Sequence, residues 1–125
     1  MVSENKEVRE RELIRVVENA MRSKKARQIV ELDLRGIEKR VCDFFIICHA
    51  DSAPHIKTIA EEVEDRVAAG TGEWPWRMSG MENAQWIVMD YFDVVVHVFS
   101  TEARAFYDLE SLWQDAVRRE VADED

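Results

Sequence analysis

Three sets of side chains in this sequence have the types that reactions use. The first is Ser52 in the small-residue turn Ala50-Asp51-Ser52-Ala53-Pro54, with Asp90 and Asp93 further along the chain. A strand, a tight turn and a helix N-terminus can seat a phosphate, and carboxylates on nearby strands can hold magnesium beside it. That would make the chain an enzyme that transfers nucleotidyl groups. The pattern is incomplete, however. Ala50 stands where glycine would let backbone approach phosphate, Asp51 would repel the anion, and no Asp-x-Asp pair follows on one strand face. Ser52 is expected to cap the helix instead. The second set is Cys42, Cys48, His49 and His55, the residue types that bind zinc, but their spacing matches no usual ligand pairing. The third is Cys48 with a histidine as a nucleophile pair, and nothing near it marks a lowered thiol pKa. No catalytic residue, metal or cofactor is expected.

Other residues suit binding better than reaction. Four tryptophans are many for 125 residues, and tryptophan at a rim or sheet edge is a frequent anchor for a partner. Trp86, Tyr107 and Trp113 could each be core or contact. Asp90, Asp93, Glu102, Glu110 and Asp115 crowd one segment, either as a solvated face or as an acidic patch for a basic partner. His97, set among valines, reads as an interior or hairpin histidine or as part of an interface.

The elements that would position these residues follow from periodicity. Gln85–Trp113 reads as strand, tight turn, strand, helix. In Trp86–Tyr91, one face carries Trp86, Val88 and Asp90, and the other Ile87, Met89 and Tyr91. Both are largely apolar, so cover is expected on each. Val94–Phe99 is nearly unbroken β-branched and aromatic sequence, suited to the inside of a sheet. A helix follows and is expected to reach about Arg119. Upstream, an amphipathic helix spans about Glu7–Ser23. Ile29–Leu34 alternates as a half-exposed strand, with Glu31 and Asp33 outward. Phe44–Cys48 is a solid apolar run and reads as a central strand. The next helix carries the stripe Ile56, Ile59, Ala60, Val63 and Val67 to about Ala69, ended by Gly70 and Gly72. Pro75 restricts Glu73–Ser79 to an edge. The order α-β-β-α-β-β-β-α predicts an α/β or α+β domain with a mixed sheet of about five strands. Residues 1–6 are expected to be frayed, 7–119 to form one domain, and 120–125 to be an acidic tail.

Composition narrows the function classes. An apolar share of 46% and a charged share of 34% fit a globular domain. No apolar run approaches a membrane span. The N-terminal residues have no signal-like apolar region, so a cytoplasmic protein is expected. Two cysteines are too few for a disulfide scaffold. A net charge of −9 argues against sequence-blind nucleic-acid binding and suits a basic protein partner.

One run carries more than periodicity. D-Y-x-D-V-V-V-H-V-F-S-x-E-A-R-x-F-Y-D-L-E-x-L-W, from Asp90 to Trp113, resembles the closing segment of the ribosomal silencing factor family, also called Iojap-related. Similar stretches are I-V-E-L-D-L-R-G, D-F-F-I-I-C, I-x-x-I-A-E-E-V-E and Q-W-I-V-M-D-Y, so the likeness covers roughly Lys25 to Trp113. The resemblance implies a nucleotidyltransferase-like fold without that activity, in the bacterial cytoplasm. It implies binding to the large ribosomal subunit through its basic protein numbered fourteen, blocking the small subunit and repressing translation. It also implies a homodimer. By position, Trp86 matches the family's anchoring tryptophan, with Asp90, Asp93 and His97 beside it. Glu102, Arg104, Phe106 and Tyr107 match the segment that follows. The sequence departs from the family in two places. Ala50–Pro54 replaces a Gly-Thr-Ser-like turn, and Phe92 stands at a hairpin glycine. If that turn needs positive φ, Phe92 costs about 1–2 kcal/mol, and the turn is expected to be looser or held by a partner.

Overall fold

The computed structural model describes the backbone of residues 2–122 and the side chains of residues 5–122. In chain order its elements are α1 (Val2–Ser23), β1 (Arg27–Asp33), β2 (Phe44–Ala50), α2 (Ala53–Thr71), β3 (Arg77–Ser79), β4 (Trp86–Asp90), β5 (Val94–Ser100), α3 (Thr101–Tyr107), α4 (Leu109–Leu112) and β6 (Val117–Glu120). The strands form one mixed sheet in the order β3-β4-β5-β2-β1-β6. Strands β2 and β5 run parallel and every other neighbouring pair is antiparallel. The run with no polar face, β2, is buried at all seven positions and sits inside the sheet as its composition requires.

Helices α1 and α2 cover one face of the sheet. From α1 come Leu13, Ile14, Val17, Ala20 and Met21; from α2 come the five stripe residues Ile56, Ile59, Ala60, Val63 and Val67. They pack on Ile46, Cys48, Ile87, Met89, Val94, Val96 and Val98. The start of α2 is as the sequence predicts, while its end lies two residues past Ala69, at Thr71, with Gly70 inside the helix. Ser52 Oγ accepts from the His55 N–H at 3.3 Å, Pro54 occupies the first turn, and Gly72 closes the helix at φ 77°. The other face is covered by α3, α4 and the segment after β1, through Leu34, Ile37, Cys42, Leu109, Trp113 and Ala116.

Three expectations are corrected. The last helix does not reach Arg119. Asp108 takes a left-handed conformation, φ 48°, and ends α3; α4 is a single turn; and Val117–Glu120 becomes a sixth strand beside β1. Arg119 holds that strand to Glu18 and Glu31, and Val121 is buried, its N–H donating to Ile29 O at 2.9 Å. The acidic tail therefore starts later than residue 120, and Asp123–Asp125 lie outside the described residues. At the other end, α1 begins at Val2, and Lys6 Nζ lies 3.2 Å from Asp43, where fraying was expected. Finally, β1 is not half-exposed. It lies between β2 and β6 under α1, so Glu31 is buried and paired with Arg11 and Arg119.

Candidate functional site

The two sides of β4 are finished differently. Ile87 and Met89 are fully buried against α1 and α2, whereas Trp86, Val88 and Asp90 are only half-buried. Cover on both faces was expected, but α3 and α4 lie over β5, β2 and β1, and α3 meets β4 at Trp86, through Tyr107. Val95 on β5 is half-exposed as well. The result is an open half-face on β3, β4 and β5 that carries Trp86, Val88, Val95 and Asp90. Exposed aromatic residues border it on α3, where Phe106 is 80% and Tyr107 55% accessible.

Local structure fixes Trp86 at one end of this face. Gly80, at φ 88°, lets the β3–β4 connection cross the Trp86 backbone; a Cβ there would lie 2.0 Å from Trp86 O. The indole stacks on Phe99 at 4.9 Å between centroids and meets Tyr107 at 4.8 Å. Its Nε1–H donates to His97 Nδ1 at 3.0 Å. The acceptor nitrogen must be unprotonated, so the His97 proton is on Nε2. Burial pushes the His97 pKa down to about 3, keeping the ring neutral. Ser100 caps α3 by accepting from the Ala103 N–H at 3.0 Å; the helix carries Tyr107 against the indole and Phe106 against Tyr107, at 5.0 Å.

The structure brings some of the predicted residues together and separates others. Trp86, Asp90, Phe106 and Tyr107 share the open face or its border, and Glu102 is exposed at the start of α3. His97 lies beneath Trp86, buried, and is not itself a contact surface. Asp93 belongs to the other side. Its carboxylate lies 3.7 Å from Lys6 and 3.5 Å from Arg9 of α1, and its carbonyl accepts from the Asp43 and Phe44 N–H groups. Arg104 is buried, donating to Glu110 at 3.0 Å, to Gln28 O at 2.8 Å and to His49 at 2.9 Å. It ties α3 to α4, β1 and β2, which spacing within one helix cannot reveal. Glu110 also meets Arg118. The acids of this segment are therefore not one patch: Asp93 and Glu110 are neutralised within the fold. Among the described residues, Asp90, Glu102 and Asp115 have no ion pair. Val88, grouped with Trp86 and Asp90 on one strand face in the sequence, and Val95 belong to the face although neither was named as a site residue. Their alternation with Trp86 and His97 was the available signal.

Phe92 takes φ 73° at the hairpin, as the glycine-like position demands. The turn is tight: Phe92 N–H donates to Asp90 Oδ1 at 2.7 Å, and Tyr91 N–H to Val94 O at 2.9 Å. The exposed Phe92 ring rests on Trp76 at 5.5 Å, so contact within the chain holds it.

The other chemistry considered does not assemble. Cys48 packs under α1 and α2 while Cys42 belongs to the opposite cluster, and burial pushes both thiols up to about 12. His55 Nε2 meets Lys24 O at 2.6 Å, and His49 meets Arg104. Ser52 serves as the α2 cap, and Asp51 beside it pairs with Arg27 at 3.3 Å. Among the described residues, Glu10, Asp43 and Asp93 bring carboxylate oxygens within 4.8 Å of one another. Lys6 already supplies a cation there. Burial, with Asp43 alongside, pushes Glu10 up to about 8, so a proton offsets part of the remaining charge.

Residues 7–125 match the family model described as "Ribosomal silencing factor during starvation". The chain is 45% identical over 105 residues to ribosomal silencing factor RsfS of Halalkalibacterium halodurans, covering 84% of this chain and 88% of that protein. It is 38% identical over 107 residues to ribosomal silencing factor RsfS of Bacillus subtilis, covering 86% and 89%. A crystal structure of a Chromobacterium violaceum protein superposes with a TM-score of 0.78 at 28% identity, covering 83% of this chain and 85% of that one.

Proposed function

The chain belongs to the ribosomal silencing factor family, and from that membership we propose that it binds the large ribosomal subunit and keeps the small subunit from joining. The action is steric and makes or breaks no bond. The observation that supports it most directly is the open half-face beside Trp86. A half-buried tryptophan held by a hydrogen bond and two aromatic neighbours, flanked by exposed Phe106 and Tyr107, has the composition of an interface anchor. The partner is the basic large-subunit protein numbered fourteen, as the family resemblance implies. Asp90 and Glu102 meet its lysines and arginines, and the net charge of −9 favours its approach. Asp93, His97 and Arg104 act through the fold and not by contact. The setting is the bacterial cytoplasm, and the family resemblance implies a homodimer.

The test is reassociation of purified subunits followed by light scattering, with co-sedimentation on large subunits alongside. The protein is expected to slow the formation of complete ribosomes. Trp86→Ala is expected to abolish co-sedimentation while its circular dichroism stays native. Complete ribosomes assembling at an undiminished rate would overturn the proposal, as would catalytic turnover of a nucleotide.

A further inference from the structure

His97 interrupts a run, Val94-Val95-Val96 before it and Val98 after it, in which another apolar residue would leave no polar group to satisfy. It is buried, and its Nε2 has no hydrogen-bond partner among the described residues. A buried unpaired nitrogen destabilises a fold. Its presence must be set against something the imidazole provides, and that is one acceptor, aimed at the Trp86 indole 3.0 Å away.

The geometry shows what this acceptor decides. Phe99 lies directly across from Trp86, and Val88 directly across from His97, so the hydrogen bond runs diagonally between β4 and β5. Stacking on Phe99 and contact with Tyr107 set the plane of the indole. A half-turn of the ring about its Cβ–Cγ bond would keep that plane and exchange the two edges of the indole. Such a turn would carry Nε1 away from His97. The imidazole is itself confined, with Phe45 at 4.6 Å and nearly perpendicular. With the ring neutral, the acceptor is present at every physiological pH.

We infer that His97 is a positioning residue whose Nδ1 holds the Trp86 indole with its Nε1 edge towards β5, so that a partner always meets the same ring edge. The inference rests on the proposed role of Trp86 as the anchor. A side chain already ordered before binding loses less freedom on binding, and this is how His97 adds affinity without touching the partner.

The experiment compares binding to purified large ribosomal subunits with the indole N–H resonances in 15N-labelled protein. His97→Phe keeps a ring and removes the acceptor; His97→Asn places an acceptor oxygen near the Nδ1 position. His97→Phe is expected to weaken binding by about fivefold, the worth of one hydrogen bond, and to shift the Trp86 indole resonance and speed its exchange with solvent. His97→Asn is expected to restore both. In a Trp86→Phe background, which has no donor, His97→Phe is expected to change binding no further. If His97→Phe unfolds the protein, Trp86→Phe alone removes the same hydrogen bond and is expected to weaken binding at least as much. Full binding by Trp86→Ala would overturn the anchor. Binding lost in Trp86→Ala but undiminished in His97→Phe, or in Trp86→Phe, would overturn the positioning role alone. An additive loss in the double variant would do the same.

Discussion

Ile87 and Val88 are neighbours in the chain and meet opposite fates. Ile87 is fully buried under α1 and α2, while Val88 looks out from the half-face that α3 and α4 leave uncovered. The first face is closed from β4 across to β1 by two long helices. The second is closed only as far as one short helix, one helical turn and the segment after β1 can reach. A sheet covered completely on both sides would have nowhere for a partner to add cover. The contrast shows that the difference in helix length is what leaves the candidate site open.

The sharpest way to break this comparison is a pair of truncations. Ile87→Ala is expected to cost about 3 kcal/mol in urea unfolding, through lost burial and the cavity left behind. Val88→Ala is expected to cost less than about 1 kcal/mol, since its side chain is half-exposed, yet to weaken binding to large subunits. Equal stability losses would show that the second face is as closed as the first. Next in size is Arg104→Ala, expected to cost about 2–3 kcal/mol by leaving Gln28 O without its donor and Glu110 with Arg118 alone. Its subunit binding should fall only as far as its folded fraction does. Binding lost from fully folded protein would return Arg104 to the contact surface.

A smaller effect is the pH dependence of stability, which the buried groups set in opposite directions. Burial pushes Glu10 up to about 8 and Glu18 up to about 7, the latter despite Arg119 nearby. Both hold protons in the folded state that the unfolded chain has released, so stability falls as pH rises through those values. Burial pushes His97 down to about 3 and His49 down as well, helped by Arg104. Their contribution is complete above the ordinary histidine value of 6.5 and is lost as pH falls below it. Between that value and about 8 the carboxyls dominate, so the melting temperature is expected to decline from about pH 6.5 to 8. Glu10→Gln should flatten the decline by about 3 °C. A flat profile in the unaltered protein would refute the assignment. The smallest expected change is Phe92→Gly. It relieves the positive φ and loses the Trp76 contact, for a net stabilisation below about 1 kcal/mol. Clear destabilisation in a thermal melt would show that the Trp76–Phe92 contact outweighs the strain.

Much of the fold was legible because it rests on local pattern. The α2 stripe, its serine cap and its closing glycine all follow from residues within a few positions of one another. So does the interior place of β2, apolar on both sides. The candidate site was legible in part. Trp86 and Tyr107 were readable as core or contact and Phe106 entered only through the family resemblance, but their union on one face was not legible. The ion pairing of Asp93 and the burial of Arg104 were not legible, because their partners, Lys6 and Arg9 in one case and Gln28 and His49 in the other, come from distant parts of the chain.

By itself the sequence determined which segments are helix or strand wherever an apolar rhythm runs unbroken. It also determined the family, through the run from Asp90 to Trp113. Only the tertiary structure decided that Val117–Glu120 is a strand, that Glu31 is buried, and that one side of β4 stays open. The physical reason is the same in each case. Strand pairing at an edge, the pairing of buried charges and the reach of a covering helix depend on elements brought together in space, and no local spacing encodes them.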